Sequence, residues 1–225
     1  TSRQRTAVAP LSKIADEVIR QKISPPAVTI IGKVVSLRKT LNWFETRPLF
    51  GKRVVVTRAR EQASDLSEKL RALGADVLEL PTIKIIPPKN PASLRKAARE
   101  AATYDWLVFT SVNGVDAFFD SVPDVRSIGS AKIAVIGPAT AERVRQRGLA
   151  VALQPEEFIA EQLIEAFKPQ AVKKKRILLA RADIAREALA VGLRKLGAEV
   201  TEVVAYRTVR TPEEGLGRKL QNEGA

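Results

Sequence analysis

Arg53-Val54-Val55-Val56-Thr57-Arg58-Ala59 and Arg176-Ile177-Leu178-Leu179-Ala180-Arg181-Ala182 carry one pattern, an aliphatic run closed by Arg-Ala. A second pair repeats it at the same spacing: Leu70-Arg71-Ala72-Leu73-Gly74-Ala75-Asp76-Val77 returns as Leu193-Arg194-Lys195-Leu196-Gly197-Ala198-Glu199-Val200. Both pairs stand 123 residues apart, from 53 to 176 and from 70 to 193, with no gap opening between them. Generic α/β design puts Leu and Gly at similar points of many helix–strand turns. Holding one register through strand, helix and next strand argues instead for an internal duplication. Each copy reads as strand, helix, strand. Residues 52–57 form a short β-branched strand, and residues 62–73 carry Leu66, Leu70 and Leu73 at helical spacing. Gly74 stands where a C′ glycine ends a helix, and residues 77–80 begin the next strand.

Outward from the repeat the alternation continues. Strands are predicted at 106–110, 132–136, 150–153, 176–181 and 199–208, with helices at 92–102, 112–121, 139–147, 160–167 and 184–196. Strands alternating with helices of this length predict an α/β fold, a parallel sheet with helices on both faces. Towards the N-terminus the pattern is weaker: a helix over 11–21, a break at Pro25-Pro26, an apolar strand over 27–32, and a helical or irregular stretch over 37–44. Arg47-Pro48-Leu49-Phe50-Gly51 has turn chemistry and reads as a linker.

Composition narrows the chemistry. The 225 residues contain no Cys and no His, which removes disulfides, thiolate nucleophiles, imidazole ligands and Ser–His relays. Catalysis would fall to carboxylates, Tyr, Lys, Arg, hydroxyls or backbone amides. Thirty-eight Lys and Arg against 25 Asp and Glu leave a net charge of +13, which suits an anionic partner and equally suits a solvated basic surface. Aromatic residues make up only 5% of the chain, which speaks against a surface on which single-stranded bases stack. No apolar run approaches the ~20 residues that span a bilayer, and no apolar segment follows the charged first residues as a signal peptide requires. The chain has no Met, so the reading expects sequence to be missing before Thr1.

Two strand-to-helix turns draw attention. Phe109-Thr110-Ser111-Val112-Asn113-Gly114-Val115 puts hydroxyls at a strand's carboxyl end and at a helix N-terminus, where free N–H groups bind anions. A helix cap that serves stability alone reads the same way. Ile136-Gly137-Pro138-Ala139-Thr140-Ala141 has the same geometry: Gly137 for a tight turn, Pro138 for the first helical turn, Thr140 directed into a cleft. Neither is a G-x-G-x-x-G or a P-loop, so no nucleotide is indicated. Arg58, Arg181 and Arg186 lie just beyond strand ends, where a guanidinium can grip a carboxylate or make a surface ion pair. Tyr206 closes an aliphatic strand; packing is the ordinary role of such a Tyr, yet it is one of few groups here able to donate a proton.

Taken in order, Arg53 to Arg58, the Leu-Gly-Ala-Asp-Val block, Phe109-Thr110-Ser111, Ile136 to Thr140, Gly148-Leu149 and Val204-Ala205-Tyr206-Arg207-Thr208 resemble uroporphyrinogen-III synthase over about residues 50–225. Residues 1–45 resemble the C-terminal tail of a uroporphyrin-III C-methyltransferase. The matching residues are Gln4-Arg5-Thr6, Leu11, Ile14-Ala15, Pro25-Pro26-Ala27, Gly32, Val34-Val35 and Leu41-Asn42-Trp43-Phe44-Glu45. Lys33 and Ala9-Pro10 depart from that family's usual pattern.

The resemblance implies a two-domain synthase fold, parallel sheets flanked by helices with the substrate in an inter-domain cleft. It divides the chain into the methyltransferase tail (1–45), a linker (46–50), the first part of one synthase domain (51–84), the other domain (85–205) and the start of a return to the first (206–225). The first copy is followed by the Phe109-Thr110-Ser111 and Ile136-Gly137-Pro138 units and the second only by residues 211–225, so the first domain is expected to be incomplete.

The implied reaction closes hydroxymethylbilane, a linear tetrapyrrole with eight carboxylates, to uroporphyrinogen III with ring D inverted and water lost. Tyr206 would be the catalytic group, with Arg58, Thr110, Ser111, Asn113, Gly137, Thr140, Arg181 and Arg186 binding substrate. The resemblance implies no cofactor or metal for the synthase. S-adenosylmethionine would belong only to the intact fused methyltransferase, to which product could be handed over. It implies a cytoplasmic enzyme with no nucleic-acid or membrane partner. The competing readings are a non-catalytic basic module for anions or nucleic acid, and an inactive fragment.

Overall fold

In the computed structural model Ser2 and residues 4–211 are described, and the chain divides into one unit up to residue 83, joined by Thr211, and a second over 84–210. Of the predicted return of the chain over 206–225, residues from 212 onward lie outside the described residues.

The first unit holds helix α1 (Ile14–Arg20), a 3₁₀ turn (Lys33–Leu37), helix α2 (Arg38–Leu41), strand β1 (Arg53–Val56), helix α3 (Arg60–Ala72) and strand β2 (Asp76–Glu79). β1 and β2 pair in parallel, Arg53 opposite Asp76, and the two side chains meet at 2.9 Å. The N-terminal segment is tied at Glu45. Its carboxylate accepts from Thr6 Oγ1 at 2.8 Å, from Gln4 Nε2 at 3.2 Å and from the Arg38 guanidinium. Arg38 first, then Thr6 and Gln4, hold this carboxyl below the usual carboxylate range. The apolar stretch 27–32 is not the strand the sequence predicts. A strand needs a ladder partner, and residues 27–31 have none among the described residues; Val28 is 89% exposed.

The second unit is built on a five-stranded sheet in the order β3-β7-β6-β4-β5. Its elements are β3 (Ile83–Ile86), α4 (Pro91–Arg99), β4 (Trp106–Phe109), α5 (Val112–Phe119), β5 (Lys132–Val135), α6 (Pro138–Gln146), α7 (Ala160–Phe167), β6 (Arg176–Ala182), α8 (Ala188–Lys195) and β7 (Glu199–Arg210). β5, β4, β6 and β7 run parallel to one another. β6 lies inside the sheet, and its stretch 177–180 is apolar because both faces are covered there. Ile177 and Leu179 pack with Trp106, Phe167 and Leu193 on the α7–α8 side, while Leu178 and Ala180 join Phe109, Phe118 and Val144 on the α4–α5–α6 side. Phe109, Phe118 and Phe119 meet with ring centroids 5.3 to 5.6 Å apart.

The two copies of the repeat match down to single hydrogen bonds. Gly74 (φ +96°) and Gly197 (φ +86°) both end a helix in the left-handed region, as the sequence requires of Gly74. Gly74 N–H donates to the Arg71 carbonyl and Gly197 N–H to that of Arg194, each at 2.9 Å. Asp76 N–H donates to the Lys52 carbonyl and Glu199 N–H to that of Lys175, each at 2.8 Å.

Three other expectations change. Residues 150–153 contribute only a bridge from Leu153 to Ala134. The helix predicted from 184 starts at Ala188, because Asp183 is captured by β7: its N–H donates to the Tyr206 carbonyl and its Oδ1 accepts from Thr208 N–H, both at 3.1 Å. β3, between Pro81 and Pro87, is a strand the sequence pattern does not announce. Among the described residues no helix is long and apolar enough to cross a membrane.

Candidate functional site

β4, β5 and β6 point their carboxyl ends to one edge of the sheet, where α5 and α6 begin, an arrangement that gathers ligand-binding turns in α/β proteins. Ser111 caps α5 with an extended backbone, and its Oγ accepts from Gly114 N–H at 3.1 Å. The same Oγ lies 3.0 Å from the hydroxyl of Tyr206, 95 positions later.

That contact has to bridge β6, since β7 and β4 are not neighbours and adjacent strands lie ~4.8 Å apart. Two features make it. Gly114 lets the first turn of α5 lie down on β6; a Cβ there would stand 3.2 Å from the Ala180 carbonyl oxygen and 3.3 Å from Ser111 Oγ. A bulge then re-aims β7: Arg181 pairs with Val204 but Ala182 pairs with Tyr206, leaving Ala205 over. Strict alternation from Val203 and Ala205 would send Tyr206 to the other face. With the bulge, Val203, Ala205 and Tyr206 all join the core on the α4–α5 side.

Tyr206 is buried, 9% exposed, and lines an open groove of about 590 Å³ together with Ile85, Pro87, Leu94, Arg95 and Asn113. Asp116 and Asp120 also line the groove, but both carboxylates are engaged by Arg147, at 2.9 and 2.8 Å, and Arg143 lies 3.7 Å from Asp116. Asp116 first, then Asp120, holds Arg147 above its ordinary pKa. An anion in the groove therefore meets these acids already neutralised.

Of the sequence candidates, Tyr206, Ser111 and Asn113 come together, with Ser111 behind Tyr206 and outside the groove lining. Thr110 is half-buried at the end of β4. Gly137 caps α6 with φ −129° and ψ 164°, extended backbone open to any residue, so the turn does not need the freedom of glycine. Thr140 is only 5% exposed, packed inside the first turns of α6 rather than directed outward. Arg181 is turned inward: Nη1 donates to the Ala185 carbonyl at 2.7 Å, and Nη2 stands 2.8 Å from Glu202 Oε2 as an ion pair. Arg186 is exposed in the loop before α8, and Arg58 is exposed in the first unit. Arg95 is not among the sequence candidates. Its place beside Leu94, at the edge of the apolar stripe of α4, could mark it as a flanking cation, but the groove arises only when α4 packs beside β7. Among the described residues no cluster of three or more Asp or Glu side chains is placed to hold a metal ion.

A family model described as uroporphyrinogen-III synthase HemD matches residues 64–225. The chain belongs to the uroporphyrinogen-III synthase family. Among its relatives, the porphyrin biosynthesis protein HemD of Ruminiclostridium josui is 32% identical over 209 residues, 91% of this chain and 42% of that protein. The uroporphyrinogen-III synthase of Synechococcus elongatus is 39% identical over 166 residues, 72% of this chain and 62% of that one. The chain thus spans less than two thirds of the length of either relative. A mutant uroporphyrinogen III synthase from the extreme thermophile Thermus thermophilus superposes with a TM-score of 0.52 at 20% identity, covering 76% of this chain and 69% of that one. The shared architecture is the synthase family's α/β fold, parallel sheets flanked by helices.

Proposed function

We propose that this member of the uroporphyrinogen-III synthase family closes hydroxymethylbilane to uroporphyrinogen III, with Tyr206 as the group that assists departure of the hydroxyl. The observation that carries this is the Tyr206 hydroxyl, 3.0 Å from Ser111 Oγ and lining a groove at the carboxyl edge of a parallel sheet. In a chain without His or Cys, a phenol is among the few donors able to protonate a leaving hydroxyl. Loss of water from the ring A hydroxymethyl group gives an electrophilic azafulvene. Ring D attacks it through its substituted carbon, and the spiro intermediate fragments and recloses on the other carbon. No oxidant or reductant is consumed, and the reading assigns the synthase no cofactor. Holding ring D against the azafulvene must supply most of the selectivity, because free substrate closes to the type I isomer.

Arg95 and Asn113 are placed to meet substrate carboxylates beside the phenol. Arg58, Thr110, Gly137 and Arg186 stay in the proposal as contacts at the strand ends, while Thr140 and Arg181 are better explained by packing and by the ion pair with Glu202.

The same reading takes residues 1–45 as the tail of a C-methyltransferase, 51–84 as the opening of one synthase domain and 85–205 as the other. Support comes from the motifs quoted above. Product hand-over to a methyltransferase and a cytoplasmic location belong to this proposal. S-adenosylmethionine is assigned to the methyltransferase, not to this chain.

The test is to incubate the chain with fresh hydroxymethylbilane, oxidise the products to porphyrins and separate the isomers. Type III in excess of type I is expected; type I alone, from protein shown to be folded, overturns the reading. Tyr206→Phe should lower kcat by about 10²-fold, the low end for general acid catalysis. Arg95→Ala should raise KM by about tenfold with kcat nearly unchanged, the loss of one charge-assisted contact.

A further inference from the structure

We infer that Ser111 is a positioning residue for Tyr206, and that its hydroxyl donates to the phenol so that the Tyr206 O–H is left free to point into the groove. This rests on the synthase reading and adds to it the direction of the hydrogen-bond chain.

The direction follows from counting donors. Gly114 N–H has only a proton to offer, so Ser111 Oγ accepts there, at 3.1 Å. The positive end of α5 draws the oxygen's lone pair inward and turns the Ser111 proton away from the helix. What lies that way, 3.0 Å off, is the Tyr206 oxygen. The opposite polarity would spend the phenol's proton on Ser111 and leave the serine proton without an acceptor among the described residues. It would also put the free donor on Ser111, which does not line the groove, instead of on Tyr206, which does. In the chain Gly114 N–H to Ser111 Oγ–H to Tyr206 Oη–H each bond polarises the next, so the terminal proton becomes a better donor. Tyr206 is 9% exposed and takes its ring position from the bulge; Ser111 fixes the remaining freedom, rotation of the hydroxyl.

The experiment separates this role from helix capping. Ser111→Thr keeps hydroxyl and cap. Ser111→Gly keeps most of the cap, because Gly is itself a good N-cap, and removes the hydroxyl. Ser111→Ala removes both. Expected are kcat within about threefold of the parent for Ser111→Thr, and a fall of about 10- to 100-fold for Ser111→Gly and Ser111→Ala alike, with KM unchanged. Thermal stability should drop clearly for Ser111→Ala alone. Ser111→Ala combined with Tyr206→Phe should be no slower than Tyr206→Phe, since the serine acts only through the phenol.

Losses that multiply in the double variant, or Ser111→Gly retaining the parent rate, overturn the inference while leaving the synthase reading intact. Folded parent protein that makes only type I isomer overturns both. A further readout needs no turnover. The chain has two tyrosines, so ring-labelled Tyr in a Tyr104→Phe background gives one set of NMR signals from Tyr206. Those signals should shift with Ser111→Gly and stay in place with Ser111→Thr; signals indifferent to both overturn the pair itself.

Discussion

Residues 53–79 and 176–202 share a sequence pattern, a ladder register and their turn hydrogen bonds, yet they meet different fates. In the first copy Val55 is 42% exposed, Leu66 38% and Leu73 44%. Their counterparts in the second copy, Leu178 and Leu189, are 1% and 3% exposed, and Leu196 packs against the core. The second copy is flanked by β4 on one side and β3 beyond β7 on the other; the first, among the described residues, is a two-stranded sheet. One of the mismatches between the copies has a packing reason. Lys69 of the first copy corresponds to Gly192, where a Cβ would lie 2.3 Å from Ile164 Cδ1, so glycine there is what lets α8 close on α7. The repeat dictates backbone, and neighbours decide what the backbone is worth.

Substitution at matched positions should expose that difference most strongly in the core. Leu178→Ala is expected to cost about 2–5 kcal/mol and Val55→Ala less than about 1 kcal/mol, read by urea denaturation with hydrogen exchange assigning the loss to its unit. Equal costs would overturn the contrast between the two copies. At the helix ends the copies should converge: Gly74→Ala and Gly197→Ala each force a Cβ into the left-handed region, at roughly 1–2 kcal/mol. Gly74→Ala should be the worse of the two, because its Cβ would stand 2.9 Å from Arg47 Cβ and 3.1 Å from the Phe50 backbone nitrogen, whereas at Gly197 the near neighbour is the flexible Lys173.

The smallest contrast is electrostatic. Asp105 accepts from Lys175 Nζ and Arg176 N–H, both at 2.8 Å, a clasp on β6 whose lysine corresponds to Lys52 in the first copy. Lys175 first, then the Arg176 N–H, lowers the Asp105 pKa from its ordinary 3.8. A carboxyl depressed in the folded state stabilises the protein above its unfolded value and loses that contribution as pH falls through the folded one. Asp105→Asn should therefore flatten the acid side of the stability profile below about pH 4 by less than about 1 kcal/mol, the group being partly exposed. Denaturation midpoints taken from pH 2 to 6 would show it.

The repeat also marks how far the sequence can be read. Strands β1, β4, β5 and β6 and helices α5, α6 and α7 follow from periodicity and caps because their neighbours agree with their local preference. Residues 27–32 look like a strand and are not one, since a ladder partner is not a property of the segment itself. Periodicity starts α8 too early because Asp183 is held by a strand more than 20 residues on. At the site, Ser111 and Tyr206 are each visible as chemistry, but their meeting is not. It depends on a bulge that reverses which side Tyr206 faces, and alternation alone gives the wrong face. Arg95 escapes because the groove it lines exists only once α4, α5 and β7 are packed. Thr140 and Arg181 have the right chemistry and are occupied by burial and by Glu202.

Gly114 does not line the groove, yet the room left by its missing methyl sets how close α5 sits to β6. A lineage that acquired alanine there would displace the helix by a few tenths of an ångström, and Ser111 with it, while the core stayed assembled. On the synthase reading, the first symptom would be slower turnover by a protein that remains folded. In this architecture the placement of the Ser111 hydroxyl and the integrity of the core depend on different positions, and the one that sets the placement has no side chain.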